Sequence, residues 1–331
     1  MSGGADEMKE ICFIGFDTSN YTTSAAVLDG EDRVIANLKQ PLTVSEGEHG
    51  LRQSDAVFQH VKNLPELSAR LTPYLEGRRV LAVGVSERPR DRDGSYMPCF
   101  LAGLAAANAA AAVSGLPLYR FSHQSGHLAA AMVSSRRFDL YDRPFYAYHI
   151  SGGTTELLAA EPTENGFSTE IVGGTRDLNA GQVIDRIGVS LGVPFPAGPG
   201  LEKLALGYTG KIPRKKPAVR DGFVNLSGLE NLATDLYRKT GDPGQVAAFV
   251  FAHLSEAIVT MTAQVFEKYG PRDLLCAGGV MSSTVLRRAI AERFHASFAE
   301  PALSADNAVG IAALAARAYR RERGEGGKET L

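Results

Sequence analysis

Two periods of apolar residues run along this chain of 331 residues. Short unbroken apolar runs, bounded by small polar residues, predict buried strands at residues 11–16, 24–28, 145–150, 156–160 and 273–277. Apolar positions three and four apart predict helices over residues 55–75, 98–113, 244–269, 282–294 and 308–320. Two stretches share one plan. Residues 11–16 lead into Asp17-Thr18-Ser19, a second strand and the turn at Asp29-Gly30. Residues 145–150 lead into Ser151-Gly152-Gly153-Thr154-Thr155, a second strand and a turn near Asn165-Gly166. Each reads as a β-meander, and helices between two such units imply a duplicated α/β fold with a nucleotide between the lobes. The small residues after each first strand leave backbone N–H groups open to a phosphate. Residues 273–277, Gly278-Gly279 and the following helix form a strand–glycine turn–helix unit, which can seat a phosphate or simply pack closely.

Composition narrows the class. The chain is long enough for two cores, and 44% hydrophobic with 22% charged residues is ordinary for a globular protein. At a net charge of −2 no global field draws it to nucleic acid. Such contact needs a local patch: Arg88, Arg90 and Arg92 make one cluster, and Arg214, Lys215 and Lys216 another. The three cysteines Cys12, Cys99 and Cys276 lie far apart among apolar neighbours, as buried thiols do. Residues 1–10 are polar and acidic, unlike a signal peptide. Residues 97–119 carry no formal charge but are mostly alanine and glycine, so an internal helix is expected there rather than a membrane span. The expected location is the cytosol, with no membrane partner.

The sharpest chemistry lies in His123-Gln124-Ser125-Gly126-His127. On a helix, positions four apart share one face, and two imidazoles placed so can hold one metal ion. The spacing also fits a plain surface helix. Asp306 stands before the last helix, where it is either a helix cap or a ligand.

Six motifs in order carry a resemblance to the TsaD (Gcp) family: the histidine run above, Ser151-Gly-Gly-Thr-Thr155, Asp177-Leu-Asn-Ala-Gly-Gln-Val-Ile-Asp185, Pro194-Phe-Pro-Ala-Gly-Pro199, Cys276-Ala-Gly-Gly-Val280 and Ser304-Ala-Asp-Asn307. The similarity extends from Ile11 to about Tyr319. It implies an α/β fold of the duplicated actin-like ATPase type (ASKHA, ribonuclease H-like), with two lobes around a nucleotide cleft. It implies an N-terminal lobe at residues 8–125, completed by the helix at 305–320, and a C-terminal lobe at 140–304. Residues 321–331, charged and glycine-rich, are expected to be disordered. By resemblance the chain is a metal-dependent transferase that moves a threonylcarbamoyl group from its adenylate to the adenine beside the tRNA anticodon. His123, His127 and Asp306 would bind one divalent iron or zinc ion, with His149 as a fourth ligand or else a core histidine. The adenine nucleotide, as ATP, AMP or a carbamoyl-adenylate, would lie on His149, Ile150, Ser151, Gly152 and Gly153, with Asp185, Gly198, Gly278, Gly279 and Ser283. A TsaB-like paralogue and tRNA are the implied partners, in a homo- or heterodimer.

Several positions depart from the family. Tyr21 replaces an aspartate of the first loop, and a phenol is a poor base at neutral pH. Ser125 replaces the glutamate of the histidine motif, Gln182 a glutamate and Ser283 an asparagine. A charged stretch, Arg90-Asp91-Arg92-Asp93, replaces a glycine-rich one. Ser19 and Tyr21 lie in the first loop, and no catalytic side chain is assigned. The pattern resembles a divergent paralogue. Its alternatives are a nucleotide- and metal-binding partner or regulator without catalysis, and a small-molecule carbamoyltransferase. A peptidase is not expected, because Gln124 stands where H-E-x-x-H needs its glutamate.

Overall fold

In the computed structural model, which describes residues 10–44 and 51–324, the first apolar run becomes strand β1, Glu10–Thr18, buried from Cys12 onward. Contacts divide the chain into two units. The first takes residues up to Phe138, Pro162–Ser168 and the stretch from Asp306; the second takes Asp139–Glu161 and Thr169–Ala305.

In the first unit β1 pairs antiparallel with β2 (Thr22–Asp29), which pairs with β3 (Val34–Pro41). After helix α1 (Gln53–Leu75), strand β4 (Arg78–Arg88) runs parallel to β1. Helix α2 (Phe100–Ser114) leads to β5 (Leu118–Ser122), and α3 (His123–Ser135) follows directly. The sheet order is β3-β2-β1-β4-β5. Because side chains alternate along a strand, Cys12, Ile14 and Phe16 of β1 join Leu64, Leu67 and Leu71 of α1 in one core. Phe13 and Gly15 serve the other face, where the closing helix Val309–Glu322 lies.

That helix comes so close that only glycine fits beneath it. A Cβ on Gly15 would lie 2.4 Å from the Ala308 carbonyl oxygen. The closing helix also crosses α3 at van der Waals backbone contact. A Cβ on Gly310 would lie 1.8 Å from the carbonyl oxygen of Gly126 and 2.5 Å from the nitrogen of Ala130. The far end is fixed by Arg320, whose guanidinium donates to Asp32 and to the Gly30 carbonyl.

Three expectations need correction. Helix α2 is not internal: Phe100, Ala102, Ala107 and Ala111 are buried, but Val113 is 90% exposed. Alanine offers little apolar area, so an uncharged run of this kind gains little by full burial. The last helix begins at Val309 and reaches Glu322, so Arg321 and Glu322 are helical rather than part of a disordered tail. Residues 325–331 of that tail lie outside the described residues. The helix after Gly278-Gly279 is shorter than expected, because a 3₁₀ turn, Gly279–Ser282, precedes it. Strand β4 escaped the pattern because it begins Arg78-Arg79 and ends Glu87-Arg88, and β5 because Arg120 interrupts its five residues.

The second unit repeats the plan. Strand β6 (Phe145–Ile150) pairs antiparallel with β7 (Thr155–Thr163), and β8 (Gly166–Thr175) follows. Then come α4 (Ala180–Ser190), α5 (Gly198–Gly207), β9 (Val219–Arg220), β10 (Phe223–Val224), α6 (Ser227–Thr240) and α7 (Pro243–Tyr269). Strand β11 (Leu274–Ala277), α8 (Thr284–Ala291) and β12 (Ala296–Phe298) complete it. The order β12-β11-β6-β7-β8-β10-β9 contains β8-β7-β6-β11-β12, the first sheet's order with two short strands added at one edge. Helix α7 is long and apolar enough to cross a bilayer by length and composition, but two-thirds of its apolar window is buried. Val246, Val250, Leu254, Ile258 and Met261 make it the core of this unit.

The Gly126–Gly310 crossing should be intolerant of any side chain. We expect Gly310→Ala to lower stability by about 1–3 kcal/mol and Gly310→Val by more, since backbone cannot yield cheaply. Gly207→Ala, with open space around it, should change it by less than about 0.5 kcal/mol. Denaturant midpoints measure this, and an unchanged midpoint for Gly310→Val contradicts the crossing.

Candidate functional site

Helix α3 starts at Ser122, whose hydroxyl caps it by accepting from the Ser125 N–H at 3.1 Å. His123 and His127 therefore occupy its first two turns on one face, as the spacing anticipated. Their Nε2 atoms face each other at 3.0 Å. The crossing with the closing helix delivers Asp306, whose Oδ1 lies 3.2 Å from His127 Nε2 and 3.6 Å from His123 Nε2. Asp306 is not the helix cap. The N-cap position is Ala308, and Asn307 just before it accepts from the Val309 N–H through its Oδ1.

One ligand atom from each of the three residues falls within 4.8 Å of the others. A tetrahedral ion with bonds near 2.1 Å spaces its ligand atoms by ~3.4 Å, and the observed 3.0, 3.2 and 3.6 Å bracket that value. The residues present thus fit a metal ion. Among the described residues they form the group of potential ligands. His149 belongs to the second unit, half-buried on β6 between Glu156 and Ala277.

Behind the triad stands a carboxylate that the sequence pattern did not single out. Asp17, fully buried at the end of β1, holds the Nδ1 of His123 at 2.9 Å. This leaves Nε2 for the ligand face, as an outer carboxylate does at many metal sites. The other Asp17 oxygen is buried without a hydrogen-bond partner, a demand for positive charge nearby. Ser19 donates to Asp306 Oδ2 at 3.0 Å, and His60 supports the same loop through the Ser19 carbonyl and Thr23 hydroxyl. Tyr21, by contrast, is 47% exposed. Burial alone would lower the pKa of His123, but Asp17 and Asp306 outweigh it and push it up to about 10. Burial opposes the charge on Asp306 too, yet the two histidines hold it well below the usual carboxylate range.

Ser125, the departure inside the histidine motif, is buried and donates to Asp91 Oδ2 at 2.7 Å while accepting from the Phe167 N–H. Asp91 takes a second hydroxyl from Ser122 on the same oxygen and is held by Arg88 through the other. The first arginine cluster is therefore partly neutralised.

In the second unit, five of the ten expected nucleotide residues line one cavity. A cavity of about 400 Å³ is lined by Gly152, Asp185, Gly198, Gly279 and Ser283, with Gly181 and Glu202 in addition. It sits at the carboxyl ends of the parallel strands β6 and β11, where α/β sheets place ligands. A Cβ on Gly181 would meet the Ser151 carbonyl at 2.6 Å, so glycine lets the Ser151–Gly153 turn lie against the first turn of α4. Gly278, at φ 101°, would collide with the Ile150 carbonyl at 2.2 Å if it carried a side chain. A helix N-terminus under a small-residue turn suits an anion. Asp185 Oδ1 accepts from the Ala197 N–H at 2.8 Å. Glu202, absent from the sequence expectations, takes the Ser283 and Thr284 hydroxyls and the Val285 N–H on one oxygen. The buried Ser282 hydroxyl, without a partner among the described residues, lines the same cavity. His149 and Ile150 are strand residues, and Ile150 is fully buried in the core.

Comparison with known proteins bears on this arrangement. The TsaD family, described as tRNA N6-adenosine threonylcarbamoyltransferase, matches residues 48–313. The protein so named from Halalkalibacterium halodurans is 29% identical over 328 residues, covering 93% of this chain and 91% of its own. That from Moorella thermoacetica is 31% identical over 291 residues, covering 84% and 82%. Among solved structures, the activator of the 2-hydroxyisocaproyl-CoA dehydratase from Clostridium difficile, with bound ADPNP, aligns at a TM-score of 0.53 and 12% identity, covering 97% of this chain and 100% of that one. HypF of T. kodakarensis aligns at 0.58 and 12% identity over 95% of this chain and 48% of that one. These likenesses show the fold, the duplicated actin-like one.

The raised His123 gives a pH signature to the metal-free protein. Its folded pKa lies above the unfolded value near 6.5, so this stabilisation is complete below that pH and is lost as pH rises toward about 10. We expect the chelated wild type to lose stability over that window and Asp17→Asn to flatten the loss. Thermal midpoints of both between pH 6 and 10 test it, and identical pH slopes overturn the role given to Asp17.

Proposed function

The chain belongs to the tRNA N6-adenosine threonylcarbamoyltransferase family, and on that footing we propose that it moves a threonylcarbamoyl group from an adenylate to the adenine beside the tRNA anticodon. The observation that carries this reading is the convergence of His123, His127 and Asp306, built from two segments far apart in the chain. These residues would hold one zinc or iron ion, since two imidazoles and a carboxylate suit either. When bound, that ion supplies Lewis acidity for a phosphate or a carbonyl. Asp17 keeps His123 turned with Nε2 to the ion, and Ser19 orients Asp306.

Recognition of the adenylate falls to the second unit. In the Ser151–Gly153 turn, which lies on the first turn of α4, the Thr154 carbonyl takes the Ser151 N–H and the Ser151 hydroxyl takes the Gly153 N–H, so the Gly152 N–H is the one that would face the phosphate. Asp185 and Glu202, two carboxylates in one cavity, are acceptors suited to ribose hydroxyls. In the reaction the adenine N6 forms a bond to the carbonyl carbon and loses one proton to solvent, the bond from that carbon to the phosphate oxygen breaks with its electron pair going to that oxygen, and AMP departs. We place the protein in the cytosol with a TsaB-like paralogue as partner in a homo- or heterodimer. Phe58 and Val61 of α1 and Leu101 and Val113 of α2, all exposed, support an interface on the first unit.

With threonylcarbamoyl-adenylate and an unmodified tRNA transcript, alone and with a TsaB-like partner added, the protein should form threonylcarbamoyl-adenosine. Mass spectrometry of the digested tRNA reads the product. His127→Ala should lose the metal and slow the transfer by at least about 100-fold, beyond the loss expected for an outer residue. Wild-type protein that binds metal and AMP but forms no product in either setting overturns the proposal.

A further inference from the structure

Residues 203–220 hold six cations, Lys203, Lys211, Arg214, Lys215, Lys216 and Arg220, and no acidic residue. The whole chain carries a net charge of −2, so this run is a strong local reversal. Surfaces ordinarily intersperse the two signs. All six side chains are exposed, and none forms an ion pair among the described residues.

The backbone that carries them is fixed nonetheless. Helix α7 reaches the loop after α5 through its carbonyls: His253 donates from Nδ1 to the Lys215 oxygen at 2.9 Å, and Gln245 donates to the Lys211 oxygen at 3.1 Å. Gln264 donates to the Val219 oxygen at 3.2 Å, and the Tyr208 hydroxyl to the Lys211 oxygen. Pro213 and Pro217 stiffen the stretch further. The carbonyls are thus taken up by the protein, while the cationic side chains stay unpaired in water. Arg214 and Lys215 share the lining of a cavity of about 370 Å³ with Arg293, which is also without an ion pair among the described residues. Glu256 in the same lining offsets one charge, and Glu292 is occupied by Arg288 at 3.8 Å. The capacity for anions therefore resides in the loop rather than in the cavity floor.

We propose that the Lys211–Arg220 loop is a docking surface for the phosphodiester backbone of the tRNA. It rests on the function proposed above, and it answers where a chain without net positive charge holds a polyanion. A preordered row of unpaired cations binds phosphates by releasing counterions and needs no base contact. It sets position without reading sequence.

The test compares the full-length wild type, the triple variant Arg214→Gln/Lys215→Gln/Lys216→Gln, and a charge-matched variant, Lys62→Gln/Arg70→Gln/Arg79→Gln. Binding of an unmodified tRNA transcript is followed across 50–300 mM salt, beside AMP binding and metal content. The loop variant should bind tRNA at least roughly tenfold more weakly near 0.1 M salt. Its log affinity against log salt should flatten by about 2–3, since each lost phosphate contact removes ~0.7–0.9. AMP binding, metal content and the unfolding midpoint should stay as in wild type, and the charge-matched variant should behave as wild type. Equal tRNA affinity and salt slope in the loop variant and wild type overturn the docking surface while leaving the transfer reading intact. Wild-type protein that binds no tRNA overturns both. Loss of binding to phosphatidylserine vesicles with tRNA binding unchanged assigns the loop to lipid and overturns the proposal.

Discussion

The first unit depends on a contact between two glycines. With Gly310 lying directly on the Gly126 carbonyl, the closing helix approaches α3 as closely as backbone can. Small residues permit this, because no side chain stands between the two axes. Its consequence is chemical. Asp306 lies four residues before Gly310, and His127 immediately follows Gly126. A side chain at Gly310 would meet backbone, push the helices apart and open the 3.2 Å approach of Asp306 to His127, whereas one at Gly126 would meet the end of the Ile311 side chain. Residues far apart in the chain meet because there is nothing between them to keep them apart.

Electrostatics then works on that geometry. Asp17 is wholly buried with one oxygen unpartnered, and Asp306 is held ionised by the histidines. Burying a carboxylate costs several kcal/mol unless positive charge is at hand. Without a metal, His123 supplies that charge by keeping its proton. A cation held by these residues would take the place of that proton, so its binding would release one. The site is thus prepared for a cation before any arrives.

Much of this was legible in the residues. The strand and helix periods located β1, β2, β6, β7 and β11, and the helices α1, α2, α7, α8 and the closing one. The spacing of His123 and His127 implied one helical face, and the small residues after β6 and β11 marked the ends that line the cavity of the second unit. What stayed hidden has a physical cause. Asp17 sits at the end of an apolar strand 106 residues from its histidine, and nothing local distinguishes it from a turn residue. Glu202 looks like an ordinary surface residue on α5 until α8 brings three donors to it. Strand β4 was missed because charged ends flank its buried centre, and β5 because Arg120 interrupts its short run. In each case a long-range contact carries the information, and a one-dimensional period cannot show it.

The departures from the family pattern take on a different weight once their partners are known. Ser125 lacks a carboxylate of its own but hydrogen-bonds to Asp91, which comes from the altered charged stretch and also holds the cap of α3 through Ser122. Gln182 completes a reciprocal cap with Asn179, a task glutamine performs as well as glutamate. Ser283 caps α8 by accepting from the Leu286 N–H while donating to Glu202. Each substituted side chain therefore has a hydrogen-bonding role, and none opens a gap beside the triad. Tyr21 is the exception, since its exposed ring makes no comparable contribution. Replacing several acidic groups suggested altered chemistry when each was taken alone. Taken with their partners, three of the four fit a site that kept its ligands and rearranged their supports, which is the pattern expected when transfer chemistry is retained.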